Sequence, residues 1–322
     1  MQRFVTLIIG CALLETAFLA TPSHASPLTF NVTYDASTSS APAAFFSAFN
    51  DAIQFFENTF NDPITINIDV GWGEINGRSL SPGDLGNSQT NQQGFYSYPQ
   101  IKTALQNDSK SAADATGIAN LPSTYPVSGA PFVMSDAEAK ALGLRAGNAA
   151  GVDGYVGFLN TAPYTFDPNH RAVAGEYDFI GLAEHEIGEV MGRYGLSQNG
   201  ASSGRYSPID LFRYTSPGVL EFAPANGGYF SINGGATAIN TFNGTGGGDL
   251  SDWAGATPDS YNAFLTRGAE LDVSAGDITE MDAIGYDVAV PEPPTLTLVG
   301  LATAVWLLLK RRSPAAEPQA PR

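Results

Sequence analysis

The stretch Tyr177–Gly195 reads YDFIGLAEHEIGEVMGRYG, and its spacing predicts one buried helix stopped by the glycines that end it. On a repeat of about 3.6 residues, His185 and Glu189 stand one turn apart on one face, with Glu186 about 60° round from Glu189. Ile180, Ala183, Ile187, Val190 and Met191 cover most of the remaining surface, which suits a helix packed inside a domain. An imidazole and two carboxylates buried together need a compensating charge, because an unpaired buried charge is too costly to keep. A divalent cation held by His185 and Glu189 would supply it.

HEIGE resembles HExxH, the signature of the zincin metalloproteases, in which two helix histidines hold zinc and the glutamate between them is the general base. Gly192 also matches the glycine of the longer metzincin pattern, which turns the chain back toward the metal. Two positions depart from that pattern: Glu189 stands for the second histidine, and Gly195 occupies the third-ligand position. Only His170 and His185 remain of three histidines once residues 1–25 are set aside, so three histidine ligands cannot assemble in one chain. His170 lies in a loop beside Arg171 and reads as a solvated surface group.

Asp252-Trp253, in DLSDWAG, resembles the His-Trp loop that carries the distant third ligand in leishmanolysin-like zincins, with aspartate in the histidine position. The resemblance implies His185, Glu189 and Asp252 as metal ligands and Glu186 as the base. The plain alternative is that Asp249 and Asp252 cap a turn or hold calcium in a Gly/Asp loop. Asp210, among Leu211, Phe212 and Arg213, is a further ligand candidate, but a structural salt bridge suits it better, with Asp210 and Arg213 pairing with Arg193 and a glutamate of the site helix. Zinc is the first choice of metal. A ligand set with two carboxylates also accepts manganese or iron.

The rest of the chain reads as an α+β domain spanning 26–289. Residues 41–60 place Phe45, Phe49, Ile53, Phe56 and Phe60 at helical spacing, and ITINIDVGWG after them alternates as a half-buried strand. From Gly73 to Ala130 the chain is rich in Gly, Ser, Asn and Pro, and reads as loop apart from a helical piece at Tyr98–Leu105. Ser135 with Glu138 marks a capping-box helix start. GYVGFL, from Gly154, is the strand expected along the cleft of a zincin-like sheet. Asp277–Asp287 resembles the closing helix of secreted zincins, with Met281 in its core periodicity. The resemblance as a whole implies a zincin-like fold, a twisted sheet packed on the active-site helix, acting on a protein or peptide substrate.

Both ends carry export signals. Residues 1–25 have a basic start, an apolar run and a small-x-small site, the pattern of a leader removed by signal peptidase. Residues 290–312 join Pro291-Glu292-Pro293, an apolar segment at 295–309 and Lys310-Arg311-Arg312, ahead of a tail at 313–322. That order resembles the PEP-CTERM sorting signal of Gram-negative bacteria, which implies transient anchoring in the inner membrane, processing by an exosortase, and delivery to the cell surface or extracellular matrix. Cys11 is the single cysteine and lies inside the leader, so the mature chain is expected to have no disulfide. With a net charge of −17 over 322 residues, the chain repels phosphate backbones, which argues against nucleic-acid binding. Two functions remain open: an exported metal-dependent endopeptidase, or a non-catalytic surface or matrix protein on a degenerate zincin fold.

Overall fold

The phenylalanine stripe at 45–60 forms the helix its spacing predicts, and that helix joins two parallel strands. In the computed structural model β1 (Thr29–Tyr34) runs parallel to β2 (Thr65–Trp72), Thr29 opposite Thr65 and Tyr34 opposite Val70. Between them α1 (Ala43–Thr59) buries Phe45, Ala48, Phe49, Ala52, Ile53 and Phe56. The structure describes residues 27–195, 204–222, 227–244 and 247–289. The leader, sorting segment, apolar segment and tail expected at 1–25, 290–312, 295–309 and 313–322 lie outside the described residues. Among those described, no helix is long and apolar enough to cross a membrane.

After β2 comes a hairpin of β3 (Glu74–Ile75) and β4 (Arg78–Ser79). Its turn residues Asn76 and Gly77 both have positive φ, the pairing that a tight hairpin turn of the primed type requires. Next is β5 (Gly86–Thr90), then β6 (Gln92–Tyr96), α2 (Tyr98–Asp108), α3 (Ala112–Asn120), β7 (Phe132–Ser135) and α4 (Asp136–Ala141). The segment expected to be mostly loop therefore holds four strands and two helices. The physical reason is clearest at β5, GNSQT: an edge strand held by backbone bonds has no second neighbour to bury side chains against, so it shows no apolar alternation. At α4, Ser135 accepts from the Glu138 amide at 3.0 Å, but both Glu138 carboxyl oxygens are buried without a hydrogen-bond partner. Only half of the expected capping box forms.

The main sheet has the order β1-β2-β8-β5, where β8 is Gly154–Phe158. β8 runs parallel to β2 and β5 antiparallel to β8. The edge strand next to the cleft is thus β5, with the GYVGFL strand one position inward and reaching the cleft only at its last residue, Leu159. A short pair, β9 (Tyr164–Thr165) and β10 (Tyr177–Asp178), leads into α5 (Phe179–Met191). Helices α1 and α5 lie side by side against the sheet. Phe179 packs on Phe45 and Phe158 at ring-centroid distances of 5.2 and 4.9 Å, an arrangement that joins both helices and β8 in one aromatic core.

A second sheet of order β12-β11-β13-β14 follows, built from β11 (Arg213–Ser216), β12 (Val219–Leu220), β13 (Tyr229–Phe230) and β14 (Asn240–Thr241). The last element among the described residues is α6 (Ala275–Ala283), capped by Ser274 and Asp277 and burying Met281, so this methionine is part of the core. The described residues make a mixed α+β unit.

Candidate metal centre

Helix α5 is fixed at its start by Asp178. One oxygen of that carboxylate accepts from the amides of Ile180 and Gly181 at 3.1 and 3.4 Å, while the other takes Arg171 Nε at 2.9 Å. The helix ends at Met191, stopped by the first of the glycines expected to end it. Gly192, at φ +122°, breaks it in a region that L side chains rarely enter, and the chain folds back so that Arg193 reaches the face carrying His185 and Glu189.

The imidazole of His185 is oriented by a backbone carbonyl. Nδ1 lies 2.8 Å from Ser260 O, a contact only a protonated Nδ1 can satisfy, so the lone pair is on Nε2. Nε2 is 3.7 Å from Glu189 Oε1 and 3.6 Å from Asp252 Oδ1. The three ligand atoms all lie within 4.8 Å of one another. Ligand atoms about 2.1 Å from one tetrahedral ion are about 3.4 Å apart, so this triangle is within a few tenths of an ångström of a bonded set along the two measured edges. A buried group of one imidazole and two carboxylates of this shape can bind a divalent metal.

Each carboxylate has its own support. Ser88 Oγ on β5 donates to Glu189 Oε2 at 2.6 Å. The loop carrying Asp252 is pinned by Asn243 N, which donates to Asp252 O at 2.6 Å, and by Trp253 Nε1, which donates to Asp277 Oδ1 of α6 at 2.6 Å. The Asp-Trp pair thus ties the site to the closing helix. Asp249 accepts from the Ser251 amide at 2.8 Å, the turn-capping role that was the plain alternative for this loop.

Arg193, expected to pair with Asp210 or a glutamate of the helix, enters the site itself. It is fully buried, and its guanidinium lies 4.1 Å from the Tyr261 ring centre. Nη1 donates to Asp252 Oδ1 at 2.8 Å; Nη2 is 3.3 Å from His185 Nε2 and 3.8 Å from Glu189 Oε1. Two expected partners are corrected. Asp210 caps the turn at 208–212, accepting from Ser207 N at 2.8 Å, and Arg213 pairs with Glu221 in the second sheet. His170 is a surface residue, its side chain 76% exposed and 2.9 Å from Asp167.

Glu186 is only 4% exposed, and its carboxyl lies against Gly86 of β5, where an added Cβ would run into it. Burial pushes its carboxyl well above the usual range, and the charges of Glu189 and Asp252 push the same way. Glu189 and Asp252 are each pushed up to about 7 by burial, with Arg193 acting in the opposite direction on both. His185 is held below its ordinary value by burial and by the Arg193 charge. Burial disfavours the Arg193 guanidinium, but Asp252 and Glu189 more than offset this and keep it charged.

The site opens into a cleft of about 1020 Å³ whose lining includes Gly86, Asn87 and Ser88 of β5 and Phe264, Leu265 and Arg267. Comparisons of the chain with protein-family models, with curated proteins and with solved structures found no match.

Proposed function

We propose that the chain is an exported metal-dependent endopeptidase with a zincin-like arrangement. The observation that carries this reading is the convergence of His185 Nε2, Glu189 Oε1 and Asp252 Oδ1 in a cleft that is also lined by the edge strand β5. A divalent cation held by these three residues would supply Lewis acidity toward a peptide carbonyl and lower the pKa of water. Zinc fits the triangle, and the two carboxylates admit manganese or iron.

The chain's own residues supply the rest. The unpaired edge of β5 offers backbone donors and acceptors to an extended peptide, in the manner of strand addition. Leu182, Phe264 and Leu265 line the cleft as apolar contacts for its side chains. Glu186, beside the ligands, takes a proton from water as the oxygen adds to the carbonyl carbon, and returns it to the amine nitrogen as the C–N bond breaks. His185 keeps its Nδ1 proton on Ser260 O throughout, so it presents one fixed tautomer. The leader and sorting segment at the two ends favour a surface or matrix location reached through signal peptidase and an exosortase.

Arg193 favours a second reading, a non-catalytic surface protein, because its guanidinium already neutralises Asp252 and contacts Nε2. The test that separates the two is Glu186→Gln in the full chain, assayed on an unfolded protein substrate with zinc present. The endopeptidase reading expects activity to fall by about 10²–10⁴-fold, the usual contribution of a general base, with bound metal retained. No activity in the wild type, with no bound metal, would leave the scaffold.

A further inference from the structure

Arg193 lies where a charge of the same sign is expected. Its guanidinium touches the Asp252 oxygen and the His185 nitrogen that a metal would use, and a cation held at about 2.1 Å from both would meet a full positive charge in a water-poor site. Glu280 lies on α6, three residues on from Asp277, whose carboxylate accepts from Trp253 next to Asp252. The Glu280 carboxyl is fully buried, and neither of its oxygens has a hydrogen-bond partner, although an uncompensated buried polar group is costly. Among the charges that act on Glu280, Arg193 is the strongest. Arg193 Nε is also without a partner.

We propose that Arg193 is an internal stand-in for the metal with two positions: on Asp252 and His185 when the site is empty, and turned back toward Glu280 when a cation is bound. This rests on the metal-binding reading above and adds a regulatory element to it. The empty site then stays folded, because the guanidinium supplies the charge that the buried carboxylates need. Metal uptake is weakened, because the cation binds only the form in which Arg193 has withdrawn. Glu280 is kept buried and unpaired in the empty form because it is the alternative partner. Tyr261, whose ring lies against the guanidinium, provides a flat surface over which it can move.

The test is titration of the metal-free full chain with Co²⁺, read by visible absorption, together with thermal melting of the metal-free form. Three proteins are compared: wild type, Arg193→Gln and Glu280→Gln. Arg193→Gln is expected to bind Co²⁺ at least tenfold more tightly than wild type and to melt lower when metal-free, even to the point of folding only with metal. Glu280→Gln is expected to bind Co²⁺ about tenfold more weakly, with its metal-free melting temperature unchanged or higher. These opposite shifts in affinity do not arise from a merely structural arginine. Equal or weaker binding by Arg193→Gln would overturn the proposal and leave Arg193 as a support for Asp252. Unchanged binding by Glu280→Gln would remove the second position, and that variant decides the matter if Arg193→Gln never folds. Absence of Co²⁺ uptake in all three would overturn the metal-binding reading itself, an outcome distinct from the others.

Discussion

Adding a single methyl group at Gly86 tests where the proposed base sits. Gly86 is the first residue of β5, paired with Phe158, and its backbone is not in the positive-φ region, so alanine introduces no conformational strain there. The effect is steric. The new Cβ would run into the Glu186 carboxylate and stand 2.9 Å from Leu182 Cδ1, so both of these buried side chains must shift to admit it. Overpacking of this kind costs about 1–3 kcal/mol, which in a domain of this size lowers the melting temperature by roughly 2–10 °C. A displacement of Glu186 on the order of 1 Å lowers turnover by about 100-fold. Bound metal should not change, because the substitution touches none of the three ligands. The assay combines peptide-bond hydrolysis, thermal melting and elemental analysis of purified Gly86→Ala. Wild-type turnover would refute the placement of Glu186 against the edge strand as the catalytic arrangement, and loss of metal together with activity would show that the defect lies in site assembly.

Two further outcomes follow from buried charge. Glu189 and Asp252, pushed up to about 7, and Glu184 and Asp62, pushed up to about 8, bind protons more tightly folded than unfolded. Their contribution to stability is therefore complete below about pH 4 and is lost as pH rises through 7 to 8. Metal-free protein should melt higher at pH 5 than at pH 8, and zinc should narrow the gap; a metal-free melting temperature that rises from pH 5 to pH 8 would contradict this. Elsewhere, Lys140 Nζ donates to Asp153 Oδ2 at 2.6 Å and to Thr65 O at 2.8 Å, with both partners of the pair fully buried. Lys140→Met strands the Asp153 carboxylate and should cost about 3–5 kcal/mol in denaturant unfolding, most of it recovered in Lys140→Met/Asp153→Leu.

Periodicity made much of the fold readable. The stripes of α1 and α5 and the alternation of β2 each bury one side against the core, and such elements leave a pattern. β5 left little, because GNSQT occupies a sheet edge where backbone bonds hold the strand, whereas TFNVTY of β1 does alternate, with Phe30 and Val32 packed on the core. The same cause hid the strand that lies between most of GYVGFL and the cleft. At the site, His185 and Glu189 followed from helical spacing, but the approach of Asp252 came only from the likeness of DLSDWAG to a known loop, since no local rule links residues so far apart in sequence. Arg193 was legible in principle: a glycine closing the helix at 192 turns the next side chain back toward the preceding turn. The partners of Arg213 and Asp210 depended on the register of the second sheet and on a turn cap, neither of which composition reveals.

The central claim is that one imidazole and two carboxylates hold a cation. Metal content of the purified full chain after zinc loading, compared with His185→Ala, tests it most directly. About one zinc per wild-type chain and well under a tenth of that in the variant is the expected result. Equal metal in the two proteins, or none in either while the wild type remains folded and active, would contradict it.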